Sequence, residues 1–212
     1  MKYKEKIDLD LSCLDSSFLV GSDEVGRGCI AGPVVVASLI LSKEFYKNFE
    51  SILSQYPILS KVDDSKKTSE KNRKLIMEAF AQLRKDKVLN FLIGQASVDY
   101  INKNGLSNSL RKAYLDSIYF KEKEITFLVD GNEEFIENSK TIVKGDAKSF
   151  VIGGASIIAK EYRDNLMISL SKDFDYGFEK HKGYATKLHK EKLKENGLSV
   201  FHRTAACKTF LS

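Results

Sequence analysis

The sequence predicts an α/β fold: a mixed sheet flanked by helices, with a helical C-terminal portion. Three observations carry this. Short apolar runs rich in β-branched residues lead the chain and are later interleaved with segments of helical periodicity. The first two runs are joined by a Gly-rich turn too short for a parallel crossover, so they form an antiparallel hairpin. The stretch from "HKGYATKLHKEKLKENG" onward is basic and mostly helical in pattern.

In chain order, "SFLVGSD" reads as a strand and "GPVVVASLILS" as a second, longer one. A loop containing Pro57 follows. In "DDSKKTSEKNRKLIMEAFAQLRK", Thr68 or Ser69 caps a helix whose Leu75, Ile76, Ala79, Phe80 and Leu83 share one face. "VLNFLIGQASV" is a third strand, and "LSNSLRKAYLDSIYFKEK" is a helix with Leu110, Tyr114 and Ile118 on one side. "ITFLVDG" and "KTIVKGD" are two further strands. A long helix is predicted from near Ala147, with Val151, Ala155, Ile158, Tyr162 and Leu166 as its buried stripe.

The 212 residues suit one domain with a small terminal appendage, and 42% hydrophobic with 30% charged residues is ordinary for a globular chain. No apolar run approaches the ~18 residues of a membrane span. "MKYKEKIDLDLSCLDSS" lacks the apolar centre and cleavage site of a secretory signal. Cys13, Cys29 and Cys207 are odd in number and without metal-type spacing, which predicts free thiols in a reducing cytoplasm. The net charge is +5, and His181 to Ser212, with seven Lys and Arg against two Glu, carries the whole excess. A basic segment on a neutral body suggests a polyanion partner, although Lys-rich helices also serve as plain solvated faces.

Three apolar strands end on acids: Asp23 with Glu24, Asp130, and Asp146. Sites in such sheets lie outside the strand ends, where these carboxylates would converge. Neighbouring side chains on a strand point to opposite faces, so Asp23 and Glu24 share a site only if the strand bends between them. Gathered acids repel and raise one another's pKa, and a divalent ion removes the conflict. Oxygen donors suit Mg2+ or Mn2+ rather than zinc, and two such ions are a recurring device for displacement at phosphorus. Taken singly, each acid is also explained as a turn or cap residue, Asp146 before "AKSFVIGG" especially.

The turn from Gly26-Arg27-Gly28 to Gly32-Pro33 fails as a dinucleotide fingerprint, because the third glycine is misplaced and Pro33 opens a strand. Its glycines instead permit close approach of backbone to substrate, with Arg27 adding charge.

"GSDEVGRGCIAGPVV", "DDSKK", "LVDGN", "KGDAKSFVIGGASIIAKEYRD" and "HKGYATKLH" occur in this order from about residue 18 to 190. Together they resemble the motifs of the type 2 ribonuclease H family (ribonuclease HII). The resemblance implies a ribonuclease H-like mixed sheet over residues 17–180, preceded by an N-terminal extension (1–16) and followed by a basic helical segment (181–212) that helps bind substrate. It implies a monomeric, cytoplasmic endonuclease without membrane partners. Its substrates would be RNA–DNA hybrids and duplex DNA with embedded ribonucleotides, as in removal of misincorporated ribonucleotides.

By the same likeness Asp23, Glu24, Asp130 and Asp146 match the family's metal-binding catalytic acids. Gly26, Arg27 and Gly28 match the loop that senses the ribose 2′-OH, and Tyr184 the tyrosine that stacks at the RNA–DNA junction. Lys66 is assigned to a phosphate. His181, His189 and Arg203 receive at most contacts to the nucleic-acid backbone, and Asp164 is read as a helix-face salt-bridge partner. The implied reaction is hydrolysis 5′ of a ribonucleotide with two Mg2+ or Mn2+ ions, giving 3′-hydroxyl and 5′-phosphate ends without a protein nucleophile.

Cys29 stands where the family more usually has proline, and "NGLSVFHRTAACKTFL" is only loosely like its C-terminal segment. The type 3 branch shares the acids but typically carries Gly-Thr-Gly and a further N-terminal domain, for which 22 residues before Asp23 leave no room. A binding protein that keeps the fold without catalysis is disfavoured by the four intact acids.

Overall fold

The computed structural model describes residues 3–118 and 124–211. The last five residues of the helix predicted through "IYFKEK", 119–123, lie outside the described residues. Among the described residues the sheet has five strands: β1 (Phe18–Val25), β2 (Val34–Ser42), β3 (Asn90–Ala96), β4 (Ile125–Asp130) and β5 (Lys140–Ile142). Their spatial order is β3-β2-β1-β4-β5. β1 and β2 form the expected antiparallel hairpin and β3 adds antiparallel to β2, whereas β4 pairs parallel to β1 and β5 parallel to β4. The sheet is therefore mixed, with β1 central.

Alternation along the strands sends Leu19, Val35, Ala37, Leu39 and Leu41 to one face and Val34, Val36 and Val129 to the other. The first face is covered by α4 (Glu70–Lys85) and α7 (Phe150–Leu170), the second by α5 (Val98–Asp116). Ser69 caps α4 by accepting the Asn72 N–H, as its position predicts. Ile76, Ala79, Phe80 and Leu83 are buried, while Leu75 turns outward. α5 is two helical pieces joined at Gly105 (φ 78°), and the second piece carries the buried Leu110 and Tyr114.

The N-terminal extension is helical, α1 (Tyr3–Cys13), and packs on the body. Three expectations need correction. The Pro57 loop contains α2 (Lys43–Lys47), α3 (Phe49–Gln55) and a 3-10 turn (Pro57–Lys61), with Phe45, Tyr46, Phe49 and Ile52 facing the core. β5 stops at Ile142, so Asp146 lies not on a strand end but in the one-turn helix α6 (Gly145–Lys148). α7 starts at Phe150 with Ser149 as its cap, and Tyr162 is 39% exposed whereas Glu161, Arg163 and Asp164 are buried. These buried charges are satisfied in place: Glu161 pairs with Arg73 at 2.6 Å and Asp164 with Lys160 at 2.8 Å.

The chain enters the basic segment through α8 (Phe178–His181), and the segment itself forms α9 (Lys187–Asn196) and α10 (Thr204–Leu211). It is fastened to the β1–β2 turn by an Ala31–His202 bridge and by the Gly32 N–H to Phe201 carbonyl bond, 2.8 Å. The three cysteines are free. No helix among the described residues is long and apolar enough to cross a membrane.

Candidate active site

The two acids of β1 reach one site without a bulge between them. The β1–β2 ladder runs unbroken through Asp23↔Ala37, Glu24↔Val36 and Val25↔Val35. Asp23 therefore lies on the α7 face and Glu24 on the α5 face, and the site straddles the end of the sheet. The expected bend is replaced by reach: Glu24 accepts from the Tyr114 hydroxyl at 2.5 Å and lies 3.5 Å from Arg27. Parallel pairing of Ser22 with Val129 sets Asp130 beside Asp23. Asp130 in turn accepts the N–H groups of Gly145 (2.6 Å) and Asp146 (3.3 Å), which ties α6 to the end of β4.

All four acids line one cavity of about 500 Å3, together with Gly26, Arg27, Gly28, Lys66 and Tyr184. Every residue that the sequence assigned to the site thus meets in one place. Ser65, Ser156 and Lys160 line it as well; they fall within the motifs quoted above, but the sequence reading assigns them no role. Lys160 is already paired with Asp164, the helix-face ion pair expected for that acid.

The electrostatics are those of crowded anions. Burial, then Asp130, then Glu24 and Asp146 push the Asp23 carboxyl well above its usual range, against a hydrogen bond from Ser156. Burial and the neighbouring Asp130 and Asp64 raise Asp146 to about 6. Among the described residues no three His, Cys, Asp or Glu side chains form a ready cage for an ion. Instead Asp130 turns to amide N–H groups and Glu24 to the Tyr114 hydroxyl and the Arg27 guanidinium, as mutually repelling carboxylates do when donors are near. An all-oxygen donor set in which burial and neighbouring acids raise Asp23 and Asp146 fits a hard divalent cation, which would be held by the four acids.

The glycine turn rests on two buried arginines. Arg163 donates to the carbonyls of Pro33 (2.9 Å), Ala31 (3.0 Å) and Lys182 (2.7 Å), and Arg203 to those of Gly32 and Arg27. Gly26 has φ +88°, and a Cβ there would come within 2.3 Å of Arg163 Nε. Gly28 differs, since a Cβ there meets nothing within 4 Å. Arg163 therefore joins the glycine turn to the segment just before Tyr184.

This also corrects the assignment of His181, His189 and Arg203 to the nucleic-acid backbone: all three are buried. His189 stacks on His181 with centroids 4.1 Å apart, and its Nε2 lies 3.1 Å from His202 Nε2. One tautomer set satisfies the cluster. His189 Nδ1–H donates to the Tyr184 carbonyl, His202 Nε2–H donates to His189 Nε2, and His202 Nδ1 accepts from Ser199. Burial accordingly holds His189 and His202 down at about 4.

These shifts predict a pH signature. The unfolded chain releases its carboxyl protons near pH 4, but the folded protein holds those of Asp146 to about 6 and of buried Asp10 to about 7. Their contribution to stability is full below pH ~4 and is lost as pH rises. The histidines act oppositely: their contribution grows from about 4 up to the unfolded value near 6.5 and is then complete. The two trends oppose one another below pH ~6.5, and above it only the carboxyl loss remains. Thermal unfolding in EDTA should show a fall in Tm from pH 6.5 to 8. Added Mg2+ should raise Tm more at pH 8 than at pH 5.5, where protons compete for the acids.

The ribonuclease HII profile matches residues 20–209. Ribonuclease HII of Fusobacterium nucleatum is 41% identical over 223 aligned positions, covering 100% of this chain and 96% of that protein. The chain belongs to the ribonuclease HII family. It is thus a nuclease of the ribonuclease H type, a hydrolase, and its mixed sheet is the one shared by ribonucleases HII and HIII. The ribonuclease HII of Archaeoglobus fulgidus, solved in complex with PCNA, superposes with a TM-score of 0.62 at 25% identity, covering 88% of this chain and 93% of that one. Bst-RNase HIII, solved in complex with Mn2+, shares the fold with a TM-score of 0.67 at 16% identity, covering 96% of this chain and 72% of that one.

Proposed function

We propose that this ribonuclease HII cuts the phosphodiester 5′ of a ribonucleotide, in RNA–DNA hybrids and in duplex DNA with embedded ribonucleotides. The products are 3′-hydroxyl and 5′-phosphate ends, and the biological role is removal of misincorporated ribonucleotides from DNA in the cytoplasm by a monomer. The observation that carries this reading is the convergence of four carboxylates, the glycine turn and Tyr184 on one cavity.

Asp23, Glu24, Asp130 and Asp146 hold two divalent ions, Mg2+ or Mn2+, a reading favoured by the all-oxygen donor set and by the Mn2+ complex of the related fold. When bound, such ions activate water and neutralise charge developing on the leaving oxygen. The chain's own residues do the selecting. Gly26, Arg27 and Gly28 approach the ribose closely enough for backbone groups to meet its 2′-OH, the mark that separates RNA from DNA. Arg27, held by Glu24 and by Glu133 at 2.5 Å, fixes the rim of that turn. Tyr184, half-buried beside the glycine turn with its side chain against Cys29, packs against the sugar that lacks the hydroxyl. Lys66 meets a phosphate, and the exposed lysines of residues 181–212, Lys187 and Lys194 among them, follow the duplex backbone.

The test is cleavage of duplex DNA holding one ribonucleotide, with Mg2+ or Mn2+ and then with EDTA, beside a hybrid with many ribonucleotides. Metal-dependent cutting of both is expected, and binding without cutting would favour a binding module instead. Gly28→Ala sharpens it, because the added methyl meets no protein atom. Stability should change by less than about 0.5 kcal/mol. Cutting at a single ribonucleotide should fall about 10- to 100-fold more than cutting of the hybrid, as a close contact to one hydroxyl is worth ~1–3 kcal/mol. An unchanged ratio would remove the glycine turn from ribose recognition.

A further inference from the structure

Helix α1 is not built like an appendage. Lys6 and Asp10, one turn apart, are 1% and 0% exposed. Charged side chains enter an interior only with partners that hold them, and such partners fix orientation in a way that apolar contact does not.

The partners lie in two segments that lead into the active-site cavity: the one that ends in Ser65 and Lys66, and the junction between α6 and α7. Lys6 Nζ donates to the Val62 carbonyl at 2.9 Å and pairs with Asp63 Oδ1 at 2.8 Å. Asp63 Oδ1 accepts the Asp64 N–H, and Asp64 Oδ1 accepts the Lys66 N–H, at 2.8 and 2.9 Å. A continuous run of bonds thus links Lys6 to the turn that places Ser65 and Lys66 at the cavity. Asp10 accepts from the Val151 N–H (2.9 Å), the Ser149 hydroxyl (2.5 Å) and the Tyr46 hydroxyl (3.1 Å). Ser149 is the single residue between α6, which carries Asp146, and α7, which carries Ser156.

We propose that α1 is a positioning element of the active site: Lys6 sets the turn that presents Lys66, and Asp10 sets the α6–α7 junction that presents Asp146. Neither residue touches substrate. The inference rests on the roles given above to Lys66 and Asp146.

The test uses the full chain, assayed well below each variant's Tm. Lys6→Met should raise KM for the single-ribonucleotide duplex about tenfold with kcat little changed, the size of effect that coupled networks transmit. Adding Lys6→Met to Lys66→Ala should cost nothing further, since both act through one contact. Asp10→Asn should raise the Mg2+ concentration for half-maximal rate about tenfold, as loss of a metal ligand's support does. Leu83→Ala, a destabilising change in the α4 core, should move neither constant.

A Lys6→Met protein that melts earlier but keeps the wild-type KM, with Asp10→Asn keeping the wild-type Mg2+ requirement, would reduce α1 to a structural strut. If Lys6→Met does not fold, Asp63→Ala removes the accepting oxygen and cuts the same link at a side chain that is 38% exposed, and an unchanged KM there overturns the proposal equally. Lys66→Ala without effect on KM and Asp146→Asn without effect on rate would instead sink the site reading itself, and the proposal with it.

Discussion

Asp130→Asn should abolish turnover and, in the absence of metal, leave the protein at least as stable. Asp130 ends β4 beside Asp23, and its Oδ1 receives the N–H groups of Gly145 and Asp146. Asparagine keeps the shape and a carbonyl oxygen to accept those bonds, but removes one of four gathered charges. If the acids hold divalent ions, losing an anionic ligand forfeits several kcal/mol of charge stabilisation in the transition state, so kcat should fall by about 10^3-fold. Substrate affinity in EDTA should hold or improve, because one repulsion toward phosphate is gone. Asp130 also raises the pKa of Asp23 and of Asp146, so its neutralisation should lift Tm at pH 8 in EDTA. Single-turnover cleavage, gel-shift titration and thermal melting read the three effects separately. Near-normal turnover would remove Asp130 from the metal set.

The second large effect concerns stability. A Cβ at Gly21 would lie 2.5 Å from the Val151 carbonyl carbon and 2.6 Å from the Ile152 nitrogen. Both are backbone atoms in the first turn of α7, and neither can swing aside. β1 lies this close to α7 because glycine allows it, and the contact is two residues before Asp23. Gly21→Ala should therefore force helix and strand apart, at a cost of about 3 kcal/mol. For a chain of this size that is a fall in Tm of about 6–12 °C. Activity should fall too, since α7 carries Ser156 against Asp23. Gly28→Ala, with open space around its added methyl, is the matched control and should melt like the wild type.

Much of the site was legible in the sequence because each acid follows an apolar run, and apolar runs announce strands. The α4 stripe was legible for the same reason, with Ser69 as an added capping signal. Some of the failures share one cause: patterns of hydrophobicity do not register charges that are buried with partners. Arg163 with Asp164 made Tyr162 look like the buried position of its turn. Between Ser42 and Pro57 the spacing of Phe45, Phe49 and Ile52 was a helical signal, but the helices are too short for periodicity to stand out. The histidines were misplaced because a basic segment was read as uniformly outward, whereas their ring-to-ring bonds bury them. Tyr114, which holds Glu24 across the sheet end, shows no local signal at all, since the contact joins residues 90 apart.

The central claim is that four carboxylates, separated widely along the chain, together bind the divalent ions that make the nuclease work. The most direct measurement is anomalous diffraction from crystals soaked in Mn2+ at pH 8. The account predicts peaks in the cavity within bonding reach of Asp23, Glu24, Asp130 and Asp146, and their loss in Asp130→Asn. A wild-type crystal that cuts its substrate yet shows Mn2+ only elsewhere on the surface would contradict it.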